Sequence, residues 1–394
     1  MDRKWRALAL VATAELLAMS LWFSASAVAP ELTSRWALTG TEAALLTSAV
    51  QIGFVLGALT SAATTLSDVV PARYLFAASA LVGALCTAGV AVLDAFLPAL
   101  GLRVLTGVAL AGVYPPGMKL AAGWFDGGRG LAIGSVVGAL TVGSALPHLL
   151  RGAGGVGDPF AVLYGAAGLA VVGALLVTRV RPGPYQAPTA PFDPRALGRV
   201  LQDQPTLLAD LGYFGHMWEL YAVWTWVPVY VLAATGDAVL AAFVAFGAIA
   251  AGGIGSLAAG ALADRLGRTA VTSGSMIASG SACLLAVPAF GAPVPLLVAF
   301  LLVWGVVIVA DSAQFSACVT ELAEPGYVGS ALTIQTAVGF LLTIGSIQVT
   351  PVVAEAVGWR WAFAPLAVGP LVGTLAMLRL RGLPAATQLA SGRR

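Results

Sequence analysis

The chain has 394 residues, of which 59% are hydrophobic and only 10% are charged, and its formal net charge is +2. A soluble domain carries roughly 25% charged residues, so this composition excludes an ordinary soluble enzyme and predicts a polytopic membrane protein. The small net charge does not indicate a nucleic-acid partner.

Twelve apolar segments are long enough to form membrane-spanning helices, each of which needs about 20 residues. In chain order they cover residues 7–29, 43–66, 73–93, 97–120, 130–151, 159–178, 206–233, 238–262, 270–290, 294–319, 328–354 and 361–379. The longest polar stretch, 181–205, is rich in Pro and Arg. We interpret it as a cytoplasmic linker between two six-helix bundles, residues 1–180 and 206–394. The predicted fold is therefore an all-α membrane protein.

Positive charge is distributed unequally between the two ends of these spans. If the first span begins inside, the outer loops hold only Arg35, Arg151 and Arg360. Arginine and lysine concentrate on the cytoplasmic side of membrane proteins, so we expect both termini in the cytoplasm. The apolar run near the N-terminus resembles a signal peptide, but its length and Glu15 favour a helix that is retained.

An internal repeat relates the first and seventh spans. Residues 15–22 read ELLAMSLW and residues 219–226 read ELYAVWTW, so both fit the pattern E-L-x-A-x-x-x-W. The pattern pairs Glu15 with Glu219 and Trp22 with Trp226. Repeats of this kind predict two pseudo-symmetric halves.

A second repeat lies in the turns after the second and eighth spans. The later turn, GALADRLGR at 260–268, fits G-x-L-A-D-R-x-G-R, and the earlier one, TTLSDVVPAR at 64–73, keeps Asp68 and Arg73 but lacks both glycines. The later turn resembles the signature loop of the major facilitator superfamily. RVLTG at 103–107 is similar to that family's R-x-x-Q-G motif, with Thr106 in place of Gln.

The resemblance implies a secondary transporter whose two bundles expose a central cavity alternately to each side of the membrane. It also implies a conformational gating role for Asp264, Arg265, Gly267, Arg268, Asp68 and Arg73. A contact that forms in one conformation and breaks in the other biases such a switch. The alternative is a topology anchor, in which the arginines only hold the loop inside.

Charged residues within the spans are the candidate functional residues, because each costs about 2.5–3.5 kcal/mol at the helix centre. Spans one, four, seven and ten line the cavity in the superfamily. The candidate substrate-binding residues on them are Glu15, Trp22, Arg103, Glu219, Trp226 and Asp311. Alternatively, the acids are buried structural groups and Arg103 is an ion-pair partner of Glu15.

Three side chains are candidates for proton coupling. Glu219 and Glu15 would lie in a low-dielectric environment, where a carboxyl group binds a proton more readily. His216 lies three residues before Glu219 and could share its proton, although a lone histidine is also a common polar filler. An aromatic wall beside a carboxylate suits an organic cation.

The sequence therefore predicts a proton-coupled transporter of a small organic cation or amphipathic compound, a monomer in the inner (cytoplasmic) membrane of a bacterium. The alternative is a small-anion transporter using Arg103, since the chain is also similar to bacterial proteins labelled nitrate/nitrite or cyanate permeases. Nitrate itself is disfavoured because spans two and eight carry no arginine. No P-loop, metal-ligand cluster or nucleophile–base set is present in the sequence, so we expect no enzyme activity, cofactor or metal. The expected partners are a small-molecule substrate and the lipid bilayer.

Overall fold

The computed structural model of the chain describes residues 2–126, 129–185, 193, 198, 201–324 and 327–393. Helices account for all of the regular secondary structure in these residues. Of the 25 residues of the predicted linker, 181–205, 13 fall outside them.

The helices of the first half correspond closely to the first six predicted spans. They are α1 Arg3–Met19, α2 Ser24–Ala27, α3 Ala29–Trp36, α4 Gly40–Ala63, α5 Leu66–Val69, α6 Ala72–Val92, α7 Phe96–Ala111, α8 Tyr114–Ala122, α9 Arg129–Leu150 and α10 Pro159–Val177. A single π-helical turn, Arg151–Gly155, extends α9.

The helices of the second half follow the last six predicted spans. They are α11 Gln204–Thr235, α12 Ala238–Leu266, α13 Arg268–Ala289, α14 Val294–Ala310, α15 Ser312–Leu322, α16 Val328–Val357 and α17 Val368–Arg381. Short 3₁₀ segments cover Trp359–Trp361, Ala364–Ala367 and Pro384–Gly392.

Within the described residues, ten helical segments are long and apolar enough to cross a membrane. The first and seventh predicted spans are not among the ten, for two different reasons. The first is interrupted after α1 ends at Met19. The seventh, α11, is 32 residues long but carries Glu219 and many Trp and Tyr side chains, which lower its mean hydropathy.

Three of the spans contain a break near their middle. The first span is interrupted at residues 20–23, the fourth at Gly112 and Val113 before Pro115, and the tenth at Asp311. A proline lacks a backbone N–H and its ring opposes the preceding turn, which explains the fourth-span break. The breaks in the first and tenth spans contain no proline or glycine, so their causes lie in tertiary contacts.

Local sequence signals define several helix starts. Thr39 and Glu42 form a capping box at α4, in which the Glu42 N–H donates to Thr39 Oγ1 at 3.2 Å and the Thr39 N–H to Glu42 Oε2 at 2.8 Å. Asp158 accepts from the backbone of Phe160 at 3.0 Å at the start of α10. These side chains satisfy N–H groups that have no partner within the helix.

Close backbone contacts recur at equivalent places in the two halves. A Cβ atom on Gly53 of α4 would collide with the Val104 carbonyl of α7, and one on Gly255 of α12 would collide with the Val306 carbonyl of α14. The separation in sequence between Gly53 and Gly255 equals the separation between Val104 and Val306. Small residues allow helices to approach this closely in membranes, and the repetition supports the predicted pseudo-symmetry.

The contacts divide the chain into two compact units. Unit 1 contains residues 1–188 and 224–250, and unit 2 contains residues 189–223 and 251–394. The core of unit 1 includes a cluster formed by α2, α3, α4, α6, α7 and α10. The predicted bundle boundaries, 1–180 and 206–394, stay a prediction.

Candidate functional site

Glu15 is a fully buried carboxylate in unit 1. It lies on α1, its side chain is 0% exposed, and neither oxygen has a hydrogen-bond partner among the residues that the structure describes. Oε2 faces Gly117 of α8, where a Cβ atom would collide with it, and the Phe76 ring lies beside the same position. A buried polar group without a partner is costly, so Glu15 is a strong candidate for a group that binds a proton or a cation.

Gly117→Ala is expected to destabilise the protein by roughly 1–3 kcal/mol, the usual cost of overpacking a core. The added methyl group would collide with Glu15 Oε2, so the Glu15 side chain must move. Thermal melts of Gly117→Ala, Glu15→Ala and the double variant measure this coupling. We expect a non-additive cycle, with Glu15→Ala removing most of the penalty. Strict additivity of the two changes would contradict the contact.

Arg103 stabilises the break in the first span. Its Nε donates to the Leu46 carbonyl at 3.2 Å, and its Nη1 donates to the Leu21 carbonyl at 3.1 Å and to Ser24 Oγ at 3.2 Å. Its Nη2 donates to the Trp22 carbonyl. The guanidinium is 0% exposed. It therefore donates to two carbonyl groups at the interruption, those of Leu21 and Trp22, and this tertiary contact stabilises the break.

The suggested ion pair between Arg103 and Glu15 is therefore wrong. The guanidinium donors face the chain at Leu21 and Trp22, more than a helical turn beyond Glu15. A planar fork of five donors matches several carbonyls at once. The sequence could not show this because carbonyl acceptors are present at every residue.

Glu219 is hydrogen-bonded within unit 2. Its Oε1 accepts from Trp304 Nε1 at 3.0 Å and from Cys283 Sγ at 3.3 Å, and its Oε2 accepts from Ser279 Oγ at 2.9 Å. The side chain is 1% exposed. The alternative of an acid hydrogen-bonded within a bundle is thus the arrangement that the structure shows. Glu219 and Glu15 occupy matching sequence positions but different environments.

His216 pairs with Asp311 instead of with Glu219. His216 Nδ1 lies 2.9 Å from Asp311 Oδ1, and the two side chains are 1% and 2% exposed. Asp311 is the residue at which the tenth span breaks between α14 and α15. The expected sharing of a proton between His216 and Glu219 is corrected by this geometry. All three groups nevertheless belong to unit 2.

The two tryptophans of the repeat are both buried. Trp22 is 1% exposed and its ring packs on Phe54 with centroids 5.1 Å apart. Trp226 is 5% exposed and belongs to unit 1, unlike Glu219. Their role in substrate binding stays a prediction.

The turn between α12 and α13 has the conformation that its glycine requires. Gly267 has φ +93°, a backbone conformation that favours glycine. Arg268 Nη2 and Nε donate to the two oxygens of Glu321 at 2.6 and 2.9 Å, and its Nη1 donates to Gln314 Oε1 at 2.8 Å. Asp264 and Arg265 are exposed. The superfamily-like turn therefore carries a partly buried ion pair from Arg268 to α15.

The corresponding turn of the first half differs. Arg73 is half-buried; its guanidinium lies over the Tyr74 ring, 4.6 Å from the centroid, and its Nη2 lies 3.1 Å from Tyr74 Oη. The side chain of Asp68 lies outside the described residues. A gating role for either residue stays a prediction.

The sequence patterns did not indicate the residues that hold Glu219 and Arg268. Ser279, Cys283, Trp304 and Glu321 belong to no motif, because each becomes meaningful only when a different helix brings it to a charge. Periodicity could have placed Ser279 and Cys283 on one face of α13, since they are four residues apart. Among the described residues, no group of His, Cys, Asp and Glu could hold a metal ion.

The family model of the Major Facilitator Superfamily matches residues 11–254 and 209–393 of the chain. The xylose transporter XylE from E. coli superposes with a TM-score of 0.76 at 12% identity, covering 96% of this chain and 99% of that one. The nucleoside transporter NupG gives 0.73 at 16% identity, covering 97% and 100%. A bacterial homologue of the human lysosomal transporter Spinster gives 0.72 at 13% identity, covering 100% and 99%. No curated protein sequence matches.

The fold and the buried charges on its spans define a multi-pass membrane transporter and not an enzyme. The chain belongs to the major facilitator superfamily. The predicted fold class, an all-α membrane protein with twelve helices in two pseudo-symmetric halves, is confirmed. At these sequence identities the solved structures establish the fold and leave the substrate open.

Proposed function

We propose that the chain is a proton-coupled secondary transporter of a small organic cation or amphipathic compound, acting in the inner membrane of a bacterium. The observation that carries this proposal is Glu15, a carboxylate with no exposed surface and no hydrogen-bond partner among the described residues. An ionised carboxylate in such a place is expensive. Binding a proton, or a cationic substrate, removes that cost.

The buried groups of unit 2 support proton transfer in a second place. His216 and Asp311 lie 2.9 Å apart, and His216 precedes Glu219 by three residues on α11. Intramembrane acids paired with histidine mark proton relays in transporters. The break of the tenth span at Asp311 gives this group a place where the backbone can change conformation between states.

The small-anion alternative loses its main support. It relies on Arg103, but all three guanidinium nitrogens of Arg103 donate to oxygen atoms of its own unit. Arg151, the next buried arginine of unit 1, donates to Glu31 Oε1 at 2.9 and 3.2 Å. An anion that binds either arginine would have to displace these bonds. The buried oxygen atoms that lose the arginine donors would then be less well satisfied, which costs free energy.

The remaining parts of the proposal concern movement and orientation. The gating residues are Asp264, Arg265, Gly267 and Arg268, with Asp68 and Arg73 in the first half, and Arg268 acts through its ion pair with Glu321. Both termini lie in the cytoplasm, because the arginines follow the positive-inside pattern. The protein works as a monomer, because each transporter fold of this kind encloses its own transport path.

A melting screen of the purified protein tests the proposal. Choline and tetraphenylphosphonium serve as cationic probes and benzoate as the anionic probe. A ligand that binds only the native state stabilises it by about 2.7 kcal/mol at a hundredfold excess over Kd, so a bound cation should raise the melting temperature of the wild type. We expect this shift to disappear in Glu15→Gln.

The matched control for this screen is Glu42→Gln, which removes a partly exposed carboxylate from the start of α4. It should keep the full cation-induced shift. Stabilisation by benzoate in the wild type and in both variants would contradict the proposal and restore the anion hypothesis. A cation shift that survives in Glu15→Gln would remove Glu15 from the binding site.

A further inference from the structure

The segment after the last span folds back onto unit 2. Residues 384–393, here called the tail segment, include the 3₁₀ turns Pro384–Gly392 and pack against α15 and α17. Ala386 and Leu389 are each 0% exposed, whereas their neighbours Thr387 and Gln388 are exposed. The tail segment is therefore anchored by two apolar side chains and is not a free extension.

Two hydrogen bonds attach the tail segment to the candidate gate. The Ala390 N–H donates to Glu321 Oε2 at 3.0 Å, and that same oxygen accepts from Arg268 Nε at 2.9 Å. Arg393 Nη1 donates to the Asp264 carbonyl at the end of α12. The tail segment thus contacts both sides of the turn that contains Gly267, and it shares one carboxylate with Arg268.

The backbone of the tail segment is strained at this contact. Ala390 has φ +46° and Ser391 has φ +58°, values in the left-handed region that residues with a Cβ rarely adopt. Such conformations persist only where surrounding contacts determine them, and they concentrate at switch regions. Detaching the tail segment would release this strain.

We propose that the tail segment is a latch on the gating turn of unit 2. While docked, it supplies a second donor to Glu321 and a donor to the Asp264 carbonyl, and it holds the Arg268–Glu321 pair in place. Its release loosens that pair and opens this end of the unit. This inference rests on the gating role given above to Arg268, and it adds a control element that the family signature does not contain.

Cys318 provides a direct reporter of latch opening. Its thiol is 0% exposed, and it lies on α15 one turn before Glu321. Opening of this end should expose the thiol to a maleimide. Cys86, which is buried in unit 1, reports global unfolding in the same sample. Mass spectrometry of the digested full-length protein separates the two sites.

Two release variants test the latch by different means. Leu389→Asp places a charge at a fully buried anchor. Ala390→Pro removes the N–H that binds Glu321 and fixes φ of residue 390 at about −65°. Leu389, at φ −74° and ψ 137°, already has a conformation that a following proline accepts. We expect both to accelerate Cys318 alkylation about tenfold, the change produced by 1.4 kcal/mol of lost docking energy, with Cys86 unchanged.

Two matched variants should not accelerate the alkylation of Cys318. Gln388→Asp introduces the same charge at an exposed neighbour and should leave the Cys318 rate unchanged. Ala390→Gly fits the positive φ without strain and should give a rate at or below that of the wild type. If Leu389→Asp also exposes Cys86, that variant has unfolded the protein. The test then relies on Ala390→Pro, which adds no buried charge.

An unchanged Cys318 rate in Ala390→Pro would overturn the latch. Equal acceleration in Gln388→Asp would also overturn it, because charge alone would then explain the effect. The assay uses no substrate, so its failure says nothing against the proposed cation transport, and failure of the melting screen says nothing against the latch.

Discussion

Glu219→Gln is expected to abolish transport driven by a pH gradient while leaving the folded protein at normal levels. The substitution removes the proton-binding site without changing the shape of the side chain. The glutamine oxygen can keep the bonds from Trp304 and Cys283. The NH₂ group of the glutamine then faces Ser279 Oγ, and the serine hydroxyl can turn to accept a hydrogen bond from it. The hydrogen-bond network therefore survives although the carboxyl group does not.

The measurement uses proteoliposomes and whichever labelled probe stabilises the wild type in the melting screen. Accumulation against a pH gradient should fall to the equilibrium level, whereas exchange of internal for external probe, which needs no net proton movement, should remain. Loss of exchange together with accumulation would instead indicate a binding or structural role for Glu219.

Ser279→Ala is the matched control. It removes one donor to Glu219 at 2.9 Å but keeps the carboxyl group. Loss of one such bond costs about 1–3 kcal/mol of stability and should preserve gradient-driven accumulation. Wild-type accumulation in Glu219→Gln would exclude the coupling role of this residue.

Arg103→Leu is expected to destabilise unit 1 strongly. It removes the bonds that Arg103 donates to the buried carbonyls of Leu21, Trp22 and Leu46. Each hydrogen bond from a buried charged donor contributes about 1.5–3 kcal/mol, so the total loss is roughly 3 kcal/mol or more. We expect a marked fall in the melting temperature and in the yield of folded protein. The melting temperature of Arg103→Lys should lie between those of the wild type and Arg103→Leu, because an ammonium group lacks the planar fork of the guanidinium.

Arg35→Leu is the control for this prediction. Arg35 also donates to a backbone carbonyl, that of Ala91 at 3.2 Å, and pairs with Asp94, but its side chain is 28% exposed and that of Asp94 is 89% exposed. Exposed pairs contribute about 0–1 kcal/mol, so its melting temperature should change little. A similar melting temperature for Arg103→Leu and Arg35→Leu would contradict the proposed role of Arg103.

Some of the site can be found from the sequence because its signals are local. A charge within an apolar run is expensive wherever the helix packs, so Glu15, Arg103, Glu219 and Asp311 are conspicuous in the sequence itself. Gly267 can likewise be assigned to a tight turn from the motif around it. The partners of these charges cannot be found in this way, because Ser279, Trp304 and the carbonyls of the first span lie far away in the chain.

Composition, hydrophobic length and the repeated E-L-x-A-x-x-x-W pattern were sufficient to determine the twelve-span fold and its two related halves. The bilayer imposes these features on each segment separately, since every span must satisfy its own backbone hydrogen bonds. The tertiary structure alone decided that Glu15 is unpartnered among the described residues while Glu219 receives three donors, that His216 pairs with Asp311, and that residues 384–393 dock on Glu321. Those outcomes depend on which helices meet and at what depth, and neither hydropathy nor periodicity within one span contains that information.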